Sequence, residues 1–347
     1  MPKGEPAGRT RRIRLQDNTE VSTPLLIPSL STKGSGVDRD GAFEISYDYE
    51  VVKDSVTEAL LVSAYDVHYG HLPSLGLGED RPDAAYRLPS LLVVDSGGYE
   101  TTPFAWDASE VMRSEVPRQS WEPATHDKVV AGLPGDANLM IVNYDCTRRY
   151  GEQVAAAQAF FAKRPDALAD FLVKPPDRKG FLEPKLIRPH LADMRAFDVL
   201  GVTEKELGDT IMARLVCVAE LRRALDEEQI DVPIHVFGSL DPTFTPLYFM
   251  AGAEIFDGLT WLRYSYREGL SIYGEARAVL EQDLDRKADQ RKALVHLSNL
   301  AELGRMKTNL ERWATEHDFD VFEPSRRPAM LHAYKAMVAR LNVGRRT

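Results

Sequence analysis

Eight short apolar runs recur along the chain, each closed by a polar or glycine-bearing stretch. They fall at residues 24–31 (PLLIPSLS), 59–67 (ALLVSAYDV), 90–98 (SLLVVDSGG), 138–145 (NLMIVNYD), 170–175 (DFLVKP), 197–204 (FDVLGVTE), 233–240 (PIHVFGSL) and 254–261 (EIFDGLTW). Runs of this length, bounded by Gly or Pro, read as buried strands. Between several of them the spacing changes to that of a helix. Residues 151–163 carry Val154, Ala157, Phe160 and Phe161 on one face, and residues 206–226 carry Ile211, Leu215, Val218, Leu221 and Leu225. Strands alternating with crossover-length helices predict a parallel α/β sheet. The count of eight selects a closed (β/α)8 TIM barrel over an open doubly wound sheet, and no G-x-G-x-x-G stretch opens a helix. After residue 270 the pattern is helical, with Leu294, Leu297, Leu300, Leu303, Met306 and Leu310 spaced by three and four.

This pattern divides the chain into a flexible basic arm (1–20), a barrel (21–272) and a C-terminal helical region packed on the barrel (273–347). The polar stretch between the third and fourth strands, with Trp106, Trp121 and several prolines, is longer than a crossover needs and predicts a functional loop or lid.

Composition adds limits. The chain has 347 residues, 44% hydrophobic and 28% charged, the balance of a globular protein with a full core. No apolar run approaches the roughly 18 residues of a membrane span, and no apolar signal core opens the chain, so a cytoplasmic protein without membrane association is expected. Cys146 and Cys217 are the only cysteines, too few for a disulfide framework or a cysteine-rich metal site. The net charge of -10 argues against indiscriminate nucleic-acid binding. It conceals a basic end, since residues 286–347 hold thirteen Lys or Arg against seven Asp or Glu. The cluster of Lys3, Arg9, Arg11, Arg12 and Arg14 reads as a solvated tail or a phosphate-seeking arm.

In a (β/α)8 barrel the carboxyl ends of all strands meet at one face, where catalytic groups gather. The strand assignment brings Asp66, Asp95, Asp145, Lys174, Glu204 and Asp257 to that face. Asp95 alone reads as a turn cap on the amides of Gly97 and Gly98. Crowded carboxylates instead drive one another's pKa values apart, so that one serves as an acid while another stays ionised. His68 and His71, just beyond the second strand, are ligands, bases or plain hydrogen-bond partners.

The residues DSGGY, 95–99, resemble the DSGGF motif of the tRNA-guanine transglycosylase family. AGAEIFDGLTWLR, 251–263, is similar to that family's Gly-x-Asp-x-Phe-Asp segment, and TPLLIPSLST, LLVSAYDVHYG, VNYDC and VFGSLDP resemble further family segments in the right order. The resemblance covers roughly residues 20–270. It implies exchange of a guanine base in nucleic acid for a 7-deazaguanine by retaining double displacement. Asp257 would be the nucleophile that attacks C1′ of the ribose, and Asp95 the general acid and base. Ser96 and the amides of Gly97 and Gly98 would bind the base edge, and Tyr99 would stack on its face. Asp145 would accept from N1 and the exocyclic amine, Gly201 would belong to the shortened base-binding loop, and Gly238 would let the ring approach the backbone. Arg263 would hold a phosphate or orient Asp257.

The departures from the family pattern carry consequences. The family's structural zinc is held by Cys-x-Cys-x-x-Cys and a later His, yet no cysteine follows Cys217 and Ser298 stands at the histidine's position. His296 alone cannot build a tetrahedral site, so no metal and no other cofactor are expected, and helix packing must replace the zinc. Lys174 and Pro175 stand in place of the base-reading Gln-Gly pair. The resemblance implies a homodimer acting on tRNA, with DNA as the alternative polymer, as in the branch that modifies DNA with 7-deazaguanines. An enzyme of another class remains open: Lys174 as the Schiff-base lysine of an aldolase-like barrel.

Overall fold

A computed structural model describes residues 8–35, 43–72, 89–101, 119–146, 148–177 and 180–343. An antiparallel hairpin, β1 (Arg12–Arg14) and β2 (Glu20–Ser22), precedes eight parallel strands. These are β3 (Leu25–Leu30), β4 (Ala59–Ser63), β5 (Leu91–Asp95), β6 (Leu139–Val142), β7 (Leu168–Val173), β8 (Val199–Thr203), β9 (Ile234–Phe237) and β10 (Ile255–Gly258). They follow one another around a closed barrel, and β10 pairs with β3 at the seam. A second hairpin, β11 (Ser265–Arg267) and β12 (Leu270–Ile272), leads out of it. The protein is thus a TIM barrel with a helical extension.

Helices lie between and after the strands: α1 (Ile45–Val52), α2 (Ala64–His68), α3 (Gly98–Thr101), α4 (Pro123–Gly132), α5 (Tyr150–Phe161), α6 (Pro184–Ile187), α7 (Ile211–Glu227), α8 (Thr245–Ala251), α9 (Thr260–Arg263) and α10 (Gly274–Leu280). The extension is α11 (Ala288–Glu316) and α12 (Arg327–Val343). No helix among the described residues is long and apolar enough to cross a membrane.

The two-residue period of the strands sorts the core into two layers. Leu25, Ile27, Leu61, Val93, Met140, Val142, Leu172, Val199 and Ile255 form the cluster inside the barrel, whereas Leu26, Leu60, Val94, Ile141, Phe171, Val202 and Val236 belong to the layer under the helices. Leu15 and Val21 of the N-terminal hairpin join the inner cluster and close the barrel's floor. There Arg11 meets the fully buried Glu254 (Nε to Oε1, 2.8 Å). Over residues 8–20 the chain is therefore not the flexible arm expected from its basic content: Ile13 and Val21 alternate with polar neighbours across a turn, and the arginines find carboxylates. Residues 102–118, where most of the expected lid falls, lie outside the described residues.

One boundary and one buried face differ from expectation for identifiable reasons. The second strand ends at Ser63, because its hydroxyl accepts the Tyr65 amide (3.2 Å) and starts α2, so Asp66 belongs to a helix's first turn. In α11 the buried face is His296, Asn299, Leu303, Met306, Leu310 and Trp313. Leu294 and Leu297 are exposed, since two polar residues occupy the buried stripe and shift its phase. Asn299 earns that place with three bonds. Its Nδ2 donates to the carbonyls of Trp261 and Tyr264, and its Oδ1 accepts from the Tyr266 amide, each at 2.7 Å. Beside it Arg277 donates to Ser265 Oγ and Ser298 Oγ, both at 2.9 Å. These contacts tie the segment after β10 to α11, where the resemblance places a zinc.

Candidate active site

Asp257 stands near the end of β10 and is only 6% exposed. Its Oδ2 accepts from Ser29 Oγ on β3 at 2.8 Å, across the barrel seam. Its Oδ1 accepts from the Gly238 amide at 3.0 Å. Gly238 has φ +82°, and a Cβ there would meet open space, so glycine serves the backbone conformation that delivers this N–H.

Behind Asp257 lies a pair that periodicity did not single out. His235 Nε2 is 3.4 Å from Asp257 Oδ1, an ion-pair distance longer than a well-formed hydrogen bond. Its Nδ1 is 2.6 Å from Asp170 Oδ2, and both residues are fully buried. Burial works against a charged imidazole, but Asp170 and Asp257 outweigh it and push His235 up to about 9. Burial raises Asp170 in turn, opposed by the His235 charge. Gly201 lies beside this pair: a Cβ there would come within 2.7 Å of Asp170 Oδ1 and of the Phe237 ring.

Asp95 is the last residue of β5, partly exposed at the mouth. The cap role open to it falls to Ser96, whose hydroxyl accepts the Gly98 amide (3.2 Å) and donates to Asp145 Oδ1 (2.5 Å). Removal from water and the nearby carboxylates of Asp145, Glu100 and Asp257 hold Asp95 well above the usual carboxylate range. Gly97 has φ +79°, and a Cβ there would sit 2.7 Å from Trp121 Nε1, which donates to the Ser96 carbonyl at 2.9 Å. At Gly98 a Cβ would lie 2.8 Å from Asp145 Cγ. Both glycines therefore let the turn pack against Trp121 and Asp145. Tyr99 is 37% exposed and carries the Lys33 ammonium 3.8 Å from its ring centroid. Glu100, also unanticipated, accepts from Ser31 Oγ (2.6 Å) and is pushed up to about 7 by burial and by Asp66.

Lys174 lies 3.1 Å from both Asp145 Oδ2 and Glu206 Oε2 and donates to Thr203 Oγ1 at 3.0 Å. Burial opposes its charge, yet the two carboxylates raise it above the ordinary lysine range. Asp66 is engaged elsewhere: it accepts from the Thr32 amide and hydroxyl (3.0 and 2.7 Å) and meets His71 Nδ1 at 2.9 Å. His68, by contrast, is exposed beside Tyr69 and Trp121. Glu204 accepts from the Tyr248 hydroxyl at 3.0 Å and faces Arg214 at 3.6 Å, tying the end of β8 to α8 and α7, while burial raises it. Arg263 donates to the Lys33 carbonyl at 3.1 Å. Among the described residues no group of three His, Cys, Asp or Glu is placed to hold a metal ion.

The barrel thus gathers Asp95, Asp145, Lys174 and Asp257 at one mouth, while Asp66 bonds Thr32 and His71 and Glu204 bonds Tyr248. One carboxyl is biased toward carrying a proton, and another is held by a hydroxyl, an amide and a cation. No model of a known protein family matches the chain, and no curated protein matches it.

Proposed function

We propose that the protein is a transglycosylase that exchanges a guanine in nucleic acid, tRNA in the first instance, for a 7-deazaguanine. The observation that carries this reading is the unequal pair at the mouth. Burial and the neighbouring carboxylates bias Asp95 toward its protonated form, and Asp257 is oriented by Ser29 and Gly238. A retaining displacement needs this division between a proton carrier and a nucleophile. In the first step an Asp257 oxygen bonds C1′ as the bond from C1′ to the guanine breaks, and the Asp95 proton goes to the leaving base. In the second step a ring nitrogen of the incoming base bonds C1′, its proton returns to Asp95, and the Asp257 carboxylate leaves. Ser96, Gly97, Gly98 and Asp145 form one wall for the base, with Tyr99 at its exposed edge. The target nucleotide must leave its stack to reach this recess.

Lys174 does not favour the aldolase reading, because Asp145 and Glu206 hold it as an ammonium and an amine nucleophile must be neutral. The test supplies labelled guanine with bulk tRNA and, separately, genomic DNA. Incorporation into tRNA that is abolished by Asp257→Asn is the expected result. Incorporation into DNA alone moves the substrate to the other polymer, and incorporation into neither refutes the reading.

A further inference from the structure

We propose that Asp170 and His235 form a buried ion chain that orients Asp257 and stabilises its carboxylate as it leaves the sugar, which makes both of them positioning residues for the displacement. The inference rests on Asp257 being the nucleophile. Its support is geometric. Asp170 is on β7 and His235 on β9, so β8 runs between them. In the register Gly201 of β8 pairs with His235 on one side and with Leu172 on the other. A side chain at Gly201 would strike Asp170 Oδ1 at 2.7 Å. The glycine is the window through which a carboxylate reaches past one strand to an imidazole. His235 continues the line to Asp257 Oδ1 at 3.4 Å, and its ring centroid lies 3.8 Å from that of Phe237, tilted by 30°. Three ionisable groups inside a barrel are costly to bury and gain nothing for packing that leucines would not supply.

The groups facing the imidazole are the carboxylates of Asp170 from β7 and Asp257 from β10. Asp198, at the head of β8, lies beyond Asp170 and accepts the Ala169 amide at 2.8 Å. Asp257 Oδ1 has two neighbours, the Gly238 amide and His235, whereas Oδ2 has the Ser29 hydroxyl. Oδ2 is therefore the attacking oxygen, and Oδ1 keeps the residual charge. When Oδ2 bonds C1′ and the bond to guanine breaks, the cation faces a neutral ester. When the incoming base takes C1′ and the Oδ2–C1′ electrons return to Asp257, the cation meets the reborn carboxylate. His235 therefore assists the second step above all.

The experiment combines imidazole NMR titration with kinetics on the full chain, using His235→Gln and Asp170→Asn. In the unsubstituted protein one imidazole, absent from His235→Gln, is expected to stay charged to about pH 9 and to lose its charge at a clearly lower pH in Asp170→Asn. Both variants should lose about 100-fold in kcat, the loss typical of a misplaced reacting group, with KM for the polymer falling alongside it because the second step is the one slowed. A denaturation-stable enzyme–nucleic acid adduct should accumulate in both. An imidazole titrating at its ordinary value, or Asp170→Asn with unaltered kcat and no adduct, overturns the proposal. Should His235→Gln fail to fold, the titration of the unsubstituted protein against Asp170→Asn decides it. If the unsubstituted protein exchanges neither polymer, the proposed function fails, and the titration alone still establishes or refutes the ion chain.

Discussion

Replacing Asn299 with alanine gives the sharpest measure of what holds the helical extension to the barrel. The side chain is fully buried and makes three bonds of 2.7 Å, to the carbonyls of Trp261 and Tyr264 and from the amide of Tyr266. Alanine leaves two carbonyls and one amide without partners in a dry place. An orphaned buried group costs about 1–3 kcal/mol, so the three together come to about 3–6 kcal/mol if some water enters. Against a domain stability of about 5–15 kcal/mol that is a large fraction. Guanidinium unfolding followed by tryptophan fluorescence should show a correspondingly lower midpoint at unchanged slope. Ser298→Ala is the control: it loses only the 2.9 Å bond from Arg277 and should cost about 1 kcal/mol. Asn299→Asp keeps the shape but replaces the Nδ2 donor by an oxygen acceptor facing the Trp261 and Tyr264 carbonyls, and should do at least as badly as alanine. The reasoning is refuted if Asn299→Ala costs no more than Ser298→Ala.

Two further perturbations probe the molecule elsewhere. His126 stacks on Phe160 with neither ring nitrogen hydrogen-bonded, and burial pushes it down to about 4. A histidine whose folded pKa lies below its unfolded value destabilises the fold as pH drops below about 6.5, by up to about 3 kcal/mol near pH 4. Thermal melts from pH 7 to 4 should therefore show a shallower decline for His126→Phe, and an identical acid slope would count against this. His235 acts with the opposite sign, its contribution complete below about pH 6.5 and lost as pH rises through about 9. Gly97→Ala, at φ +79° and 2.7 Å from Trp121 Nε1, should cost more than 1 kcal/mol in the same melts and raise KM for the base. A neutral effect would mean that the turn does not need its left-handed residue.

The barrel was legible because its strands are short apolar runs with clear breaks, and Asp95 and Asp257 stood at strand ends in plain view. The inner ion chain was not. Asp170 and His235 share the phase of Leu172 and Phe237, so a charged residue at an inward position was a usable signal. Their meeting depends on β8 offering Gly201, and that is a fact of strand order rather than of any one segment. The N-terminal hairpin was obscured by arginines whose partners, Asp226, Asp231 and Glu254, lie more than two hundred residues away. The roles of Asp66 and Glu204 stayed open in the sequence because a carboxylate near a strand end looks alike whether it faces the mouth or clamps a loop. Only the Thr32, His71 and Tyr248 contacts separate the two cases.

The seam between β10 and β3 has a consequence for how the protein comes into being. Ser29 and Asp257 are 228 residues apart in sequence, and their bond spans the strand pair that closes the barrel, which a chain growing from its N-terminus can complete only after β10 is made. Contacts of such separation form late, after the entropy of a long loop has been overcome. A chain whose barrel has not yet closed therefore has β5 and its turn but lacks the bond from Ser29 to Asp257. On the function proposed above, the nucleophile would gain this orienting hydroxyl only once the ring of strands closes.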